Sequence, residues 1–266
     1  ILRLVMKHSQ SNPASISTSA PSSWLRYWIW MQILAHVIGG VCTLSFLFPF
    51  LKRDQRDRRI QQWSQKLLKI FHIQLRVTGA EKLLSNPHLL ASNHISWLDI
   101  HVINAFKPVR FVAKSEVRGW PVFGWMAEQL GTVFIRRDSA RHARQVVDQM
   151  AEVLRVESVC IFPEGTSTSG EAVLPFKPNL FEAAILAPAP VFPMAIAYLS
   201  KSTGLRSDAP AFIGDMGLLE SMSNVIASRD LEVHLSLIEP YLIGNSNIPD
   251  RKELALYCQE AITKTL

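Results

Sequence analysis

Leu89-Leu90-Ala91-Ser92-Asn93-His94-Ile95-Ser96-Trp97-Leu98-Asp99 reads as a strand, a turn and the start of a helix. The apolar run ending at Ser92-Asn93 is short enough for a buried strand. Ser96-x-x-Asp99 has the spacing of a helix cap, in which a hydroxyl and a carboxylate satisfy the open N–H groups of a first turn. Strand followed by helix is the unit of an α/β sheet, and the alternation continues along the chain. Strands are predicted over 74–77, 89–92, 110–113, 132–135, 159–162, 191–197 and 232–238. Helices are predicted over 97–105, 122–129, 139–156, 179–186, 218–228 and 251–265. The third of these keeps Ala143, Val146, Val147, Met150, Val153 and Leu154 on one face. The fold class is therefore α/β: a mixed, largely parallel sheet flanked by helices, preceded by N-terminal membrane-associated helices.

His94 and Asp99 stand five apart, which on a regular helix separates them by about 140°. They meet only if His94 lies in the turn ahead of the helix. Asp99 then accepts from one ring N–H and leaves the other nitrogen to take a proton from a hydroxyl. A capping carboxylate beside an ordinary loop histidine accounts for the same letters, so the spacing leaves both readings open. His101 is expected elsewhere on the helix, structural or exposed. No Gly-x-Ser-x-Gly elbow and no reactive cysteine accompany the histidine, so a covalent intermediate is not indicated. Cys42, Cys160 and Cys258 lie far apart without ligand spacing, which favours no metal, no disulfide framework and a reducing compartment.

Gly131-Thr132-Val133-Phe134-Ile135-Arg136-Arg137 opens a strand on glycine and ends it on two guanidinium groups, which suit a phosphate or carboxylate. A solvated strand end is the plain alternative. Val159-Cys160-Ile161-Phe162 runs into Pro163-Glu164-Gly165-Thr166, a strand ending in a tight turn, where α/β sheets hold their ligands. Leu174-Pro175-Phe176-Lys177 follows at a distance that lets Lys177 return to the same mouth or remain a surface charge.

Length bounds one sizeable core plus an appendage, at 266 residues. Only 19% of residues are charged against 48% hydrophobic, apolar for a soluble globule. A net charge of +6 favours an anionic leaflet or phosphorylated substrate as readily as a nucleic acid, for which no motif is present. Residues 9–23, rich in Ser and Pro, fit a flexible leader. From Tyr27 to Leu51 no Asp, Glu, Lys or Arg occurs, and a helix of that length rises about 37 Å against a hydrocarbon core of about 30 Å. Tyr27, Trp28 and Trp30 flank one end, and a basic run from Lys52 to Arg59 flanks the other and leans towards the cytoplasm. The run is too long for a signal-peptide core. Gly39-Gly40 and Pro49 leave full spanning and partial insertion both open. Ile60, Trp63, Leu67, Leu68 and Phe71 recur at helical spacing among Arg58, Arg59, Lys66 and Lys69, which suits a helix packed on the core and, with the basic cluster beside it, favours a surface-lying membrane helix. The expected organisation is a flexible leader over 1–23, a membrane anchor and amphipathic helix over 24–73, and an α/β domain over 74–266.

Taken in order and spacing, His94-x-x-x-x-Asp99, Gly131-x-x-Phe134-Ile135-x-Arg137, Phe162-Pro163-Glu164-Gly165-Thr166 and Pro190-Val191-Phe192-Pro193 resemble four boxes of the glycerolipid acyltransferases, the family that includes 1-acyl-sn-glycerol-3-phosphate acyltransferases. The resemblance covers roughly residues 75 to 200. It implies that His94 is a general base oriented by Asp99, that Arg137 binds an anion, and that Glu164, Gly165 and Thr166 bind the acceptor; Arg136 and Lys177 stand beside them as substrate-binding candidates from the residues alone. It implies transfer of a fatty acyl group from an acyl carrier protein or coenzyme A thioester, as co-substrate and not cofactor, to a lysolipid hydroxyl. The first expectation is phosphatidic acid made from 1-acyl-sn-glycerol-3-phosphate at the inner (cytoplasmic) membrane, with the catalytic domain on the cytoplasmic side. Two positions depart from the pattern: Ser167 stands where many phosphatidic-acid-forming members carry Arg, and Pro178-Asn179 where many carry glycine. The Glu164-Gly165-Thr166-Ser167-Thr168-x-Gly170 stretch with its later Leu174-Pro175-Phe176-Lys177 also resembles a bacterial branch containing lyso-ornithine lipid acyltransferases. Thioester hydrolysis and noncatalytic lipid binding rank below these.

Overall fold

The computed structural model describes residues 22–83, 87–136, 140–244 and 248–266, so the expected leader lies almost wholly outside it and Arg137 lies outside it altogether. The strands are β1 Gln74–Thr78, β2 Leu89–Ser92, β3 Arg110–Lys114, β4 Val133–Ile135, β5 Val159–Ile161, β6 Val191–Ser200 and β7 Leu231–Leu237. They form one sheet in the order β1-β7-β6-β2-β5-β3-β4. The five strands from β6 to β4 run parallel, β7 is antiparallel to β6, and β1 lies parallel to β7. Each sits within three residues of its predicted position. β2 and β5 are buried at every residue, as central strands covered on both faces must be.

The helices are α1 Ser23–Cys42, α2 Arg53–Ile70, α3 Leu98–Phe106, α4 Ser115–Arg118, α5 Phe123–Gln129, α6 Ala140–Leu154, α7 Glu182–Leu186, α8 Leu218–Ser228 and α9 Arg251–Thr265. Leu67, Leu68, Leu98, Val102, Val225 and Ile226 bring α2, α3 and α8 onto one face of the sheet with Leu90. Met150, Ala183, Leu254 and Cys258 bring α6, α7 and α9 onto the other with Leu89 and Ala91. The alternation Leu89, Leu90, Ala91 thus feeds two cores, as the two-residue period of a strand requires. The single turn α4 has no periodic stripe and was not expected.

Two features differ from the sequence reading near the N-terminus. Ile29, Ile33, His36 and Gly40 of α1 are buried, while Trp24, Tyr27, Trp28, Met31, Leu34 and Ile38 are exposed. Ser23–Phe50 is long and apolar enough to cross a membrane by length and composition. One side of α1 is nevertheless packed against protein. The stripe on α2 expected to meet lipid turns inward instead: Leu67, Leu68 and Phe71 are buried, and the Gln61 and Gln65 side chains donate to the carbonyls of Phe106 and Ala105. The open carbonyls at the end of α3 and its apolar face supply a partner that periodicity alone cannot reveal.

Beyond β2 the ladder is continued by a side chain. Asn93 Nδ2 donates to the Ile196 carbonyl (2.9 Å) and the Ile196 N–H donates to Asn93 Oδ1 (2.8 Å). This buried amide fixes the point at which the chain leaves the sheet, one residue before His94. Asn93→Ala leaves two buried backbone groups unpaired, each worth roughly 1–3 kcal/mol. Urea unfolding of that variant should show a loss of about 2 to 6 kcal/mol; a loss below about 0.5 kcal/mol would contradict the role given to the amide.

Candidate active site

Asp99 lies in the first turn of α3, fully buried. Its Oδ2 accepts from His94 Nδ1 (2.8 Å), the Ile95 N–H (2.7 Å) and the Ser96 N–H (2.9 Å), and its Oδ1 accepts from the Tyr198 hydroxyl (2.8 Å). All four contacts are met with the carboxylate oxygens as acceptors. With the carboxylate accepting, this contact fits the tautomer that carries its proton on Nδ1 and its lone pair on Nε2. The predicted cap is present in altered form, with Asp99 reaching back to Ser96 and the Ser96 hydroxyl accepting from the Leu98 N–H (3.3 Å). Burial and the Asp99 charge push the Tyr198 phenol well up, so it stays a neutral donor.

The imidazole of His94 is stacked on the ring of Phe162 at 4.1 Å, which fixes its plane. Glu164 holds its backbone. One Glu164 oxygen accepts from the His94 N–H (2.6 Å) and the other from the Leu174 N–H (2.9 Å), while burial raises its pKa against the pull of those two bonds. Both oxygens are directed at main chain, so Glu164 ties the post-β2 and post-β5 loops together and does not face outward as acceptor wall. The loop is closed by Thr168, whose N–H and hydroxyl donate to the His94 carbonyl at 2.9 and 3.2 Å. Gly170, at φ +78°, lies where a Cβ would come 2.7 Å from Ile95.

Because β2 through β6 share a direction, the segments after them emerge at one sheet edge. Gly165 occupies the left-handed turn at φ +72° and Thr166 is exposed beside it. Arg136 is exposed at the end of β4. The Lys177 N–H donates to the Pro163 carbonyl (2.9 Å), which returns that residue to the Glu164 turn with its side chain exposed. Tyr198 and Asn93 complete the frame and carry no motif; a tyrosine among the apolar letters of β6 was the one available signal. Among the described residues no group of three His, Cys, Asp or Glu side chains is placed to hold a metal.

A cavity of about 450 Å³ opens between α1, α2 and α3, lined largely by apolar and aromatic groups including Leu67, Trp63, Phe111 and Met126. Phe111 stacks on Phe162, which stacks on His94, so the cavity wall reaches the histidine through two rings. His101 also lines it, between Trp63 and Trp97, with Nδ1 unpartnered.

A family model described as Acyltransferase matches residues 74–197. The lyso-ornithine lipid O-acyltransferase of Pseudomonas aeruginosa is 37% identical over 212 residues, covering 79% of this chain and 79% of that protein. The chain belongs to the acyltransferase family. The 1-acyl-sn-glycerol-3-phosphate acyltransferase of Neisseria meningitidis serogroup B is 35% identical to this acyltransferase over 186 residues, 70% of this chain and 72% of its own. The crystal structure of the 1-acyl-sn-glycerophosphate acyltransferase of Thermotoga maritima shares the fold, with a TM-score of 0.64 at 22% identity over 91% of this chain and 93% of that one. Lysolipid acyl transfer is thus the activity of this group, with two acceptor names among its members.

Burial holds His101 at about 4, below its ordinary value of 6.5. The folded pKa is the lower one, so the neutral ring contributes stability that is present above pH 6.5 and lost as pH falls towards 4. The unfolding free energy of the parent acyltransferase minus that of His101→Leu should fall as pH drops through that window, by up to about 3 kcal/mol. A difference that grows on acidification would contradict the assignment.

Proposed function

We propose that the protein transfers a fatty acyl group from an acyl thioester to the free hydroxyl of a lysolipid, with His94 as general base and Asp99 as the group that orients it. The observation that carries this reading is the 2.8 Å contact of His94 Nδ1 with the buried Asp99 carboxylate, which supports the tautomer with its lone pair on Nε2. The acceptor hydroxyl attacks the thioester carbonyl carbon while its proton passes to Nε2. A C–O bond forms and the C–S bond breaks. The proton then leaves the imidazolium for the departing thiolate, giving ester and free thiol with the histidine restored. No covalent enzyme intermediate is needed. An acyl carrier protein or coenzyme A serves as the thioester, and the apolar cavity beside Phe111 takes the chain.

Residues 24–73 form the membrane-facing part in this reading, and 74–266 the catalytic domain. With one face of α1 packed inward and the other bearing Trp24, Trp28, Met31, Leu34 and Ile38, the helix lies along the leaflet with those residues in lipid. The exposed Arg58, Arg59, Lys66 and Lys69 then meet anionic headgroups on the cytoplasmic face of the inner membrane.

Two acceptors are in play, 1-acyl-sn-glycerol-3-phosphate and lyso-ornithine lipid. Ser167 favours the second: its hydroxyl donates to the Phe212 carbonyl, so the position where many phosphatidic-acid-forming members carry arginine tethers a neighbouring segment. His94→Ala should lower turnover roughly 10²–10⁴-fold, with the melting temperature and liposome binding retained. A panel of purified lysolipids with one labelled acyl donor reads the acceptor. Undiminished transfer by His94→Ala, or thiol release that no acceptor accelerates, would rule the mechanism out.

A further inference from the structure

The segment over 201–217 follows β6 and crosses the sheet edge beside His94. The Phe212 N–H donates to the Ile95 carbonyl (3.0 Å), Ser167 Oγ donates to the Phe212 carbonyl, and Arg206 Nη1 donates to the Ser169 carbonyl (2.9 Å). Ser169 adjoins Thr168, which bonds the His94 carbonyl. Arg206 is therefore fixed to the rim of the loop that frames the catalytic histidine. Two carboxylates flank its guanidinium, Asp208 at 2.9 Å and Glu171 at 4.0 Å. Arg206 is 37% exposed, Asp208 67% and Glu171 79%, so all three reach solvent.

We propose that Arg206, Asp208 and Glu171 form the headgroup subsite of the acceptor and select a zwitterionic amino-acid head, its carboxylate against Arg206 and its ammonium between the two acids. The inference rests on acyl transfer at His94. One cation with two carboxylates gives this rim a local charge of −1. Among these three residues a phosphate head finds a partner only in Arg206, whereas a head carrying both signs finds a partner for each. The pairing is exchangeable: exposed ion pairs contribute about 0–1 kcal/mol, and the Glu171 contact sits at the outer limit of an ion pair. Arg206 also presents a planar fork that suits a carboxylate bidentately. The Ser167 bond to Phe212 serves the same end, since it tethers the segment that bears Arg206 to the loop after β5.

The test uses the full chain in detergent micelles with one labelled acyl thioester and three acceptors: lyso-ornithine lipid, 1-acyl-sn-glycerol-3-phosphate and uncharged monoacylglycerol. Arg206→Met should raise KM for lyso-ornithine lipid relative to monoacylglycerol about tenfold, and Arg206→Lys should restore part of that ratio. The Glu171→Gln, Asp208→Asn double variant should raise the same ratio and shift preference towards the phosphate acceptor. Equal losses on all three acceptors, or ratios unchanged from the parent, would overturn the subsite while leaving acyl transfer standing. Transfer to none of the three by the parent protein would overturn the acyl-transfer reading and the subsite with it.

Discussion

Burying an ionised carboxylate is expensive unless donors replace the water it loses. Asp99 meets that requirement with four donors from two elements: the His94 ring and two backbone N–H groups of the turn after β2, and Tyr198 on β6. The same bonds that stabilise the charge set the turn after β2, the tautomer of His94 and the approach of β6 to α3. Removing the carboxylate therefore affects more than orientation. Asp99→Ala frees two backbone donors and a buried phenol, so that change loosens the fold along with the chemistry, whereas His94 can be replaced with far less disturbance.

Glu164 plays the complementary part. It is buried like Asp99, spends both oxygens on main-chain donors, and couples the two loops whose residues face the sheet edge. Two carboxylates thus build the frame, one oriented at the base and one behind it. The parallel run of β6, β2, β5, β3 and β4 brings their trailing segments to one side, and the cavity under α1 and α2 joins that side through the rings of Phe111 and Phe162.

Much of this was legible in the letters, for identifiable reasons. Buried parallel strands leave short continuous apolar runs, so all seven strands could be placed, and the His94 to Asp99 spacing made sense only with a turn before a helix. The misreadings share a cause: they concern partners distant in sequence. Glu164 looks like a ligand residue at the end of β5 until the His94 and Leu174 amides are seen to occupy it. The stripe on α2 looks like a lipid face until α3 is found against it. Asn93 and Tyr198 belong to no pattern, because their function is to meet Ile196 and Asp99 across about a hundred residues of chain.

The central claim is that Asp99 holds the His94 proton on Nδ1 and leaves Nε2 open as a base. Nitrogen-15 NMR of histidine-labelled protein in micelles, with the His94 signals assigned by comparison with His94→Ala, reads that tautomer directly. The account predicts a protonated Nδ1 and an unprotonated, lone-pair-type Nε2 at neutral pH. A His94 ring protonated on Nε2 alone, with Nδ1 bare towards Asp99, would contradict it.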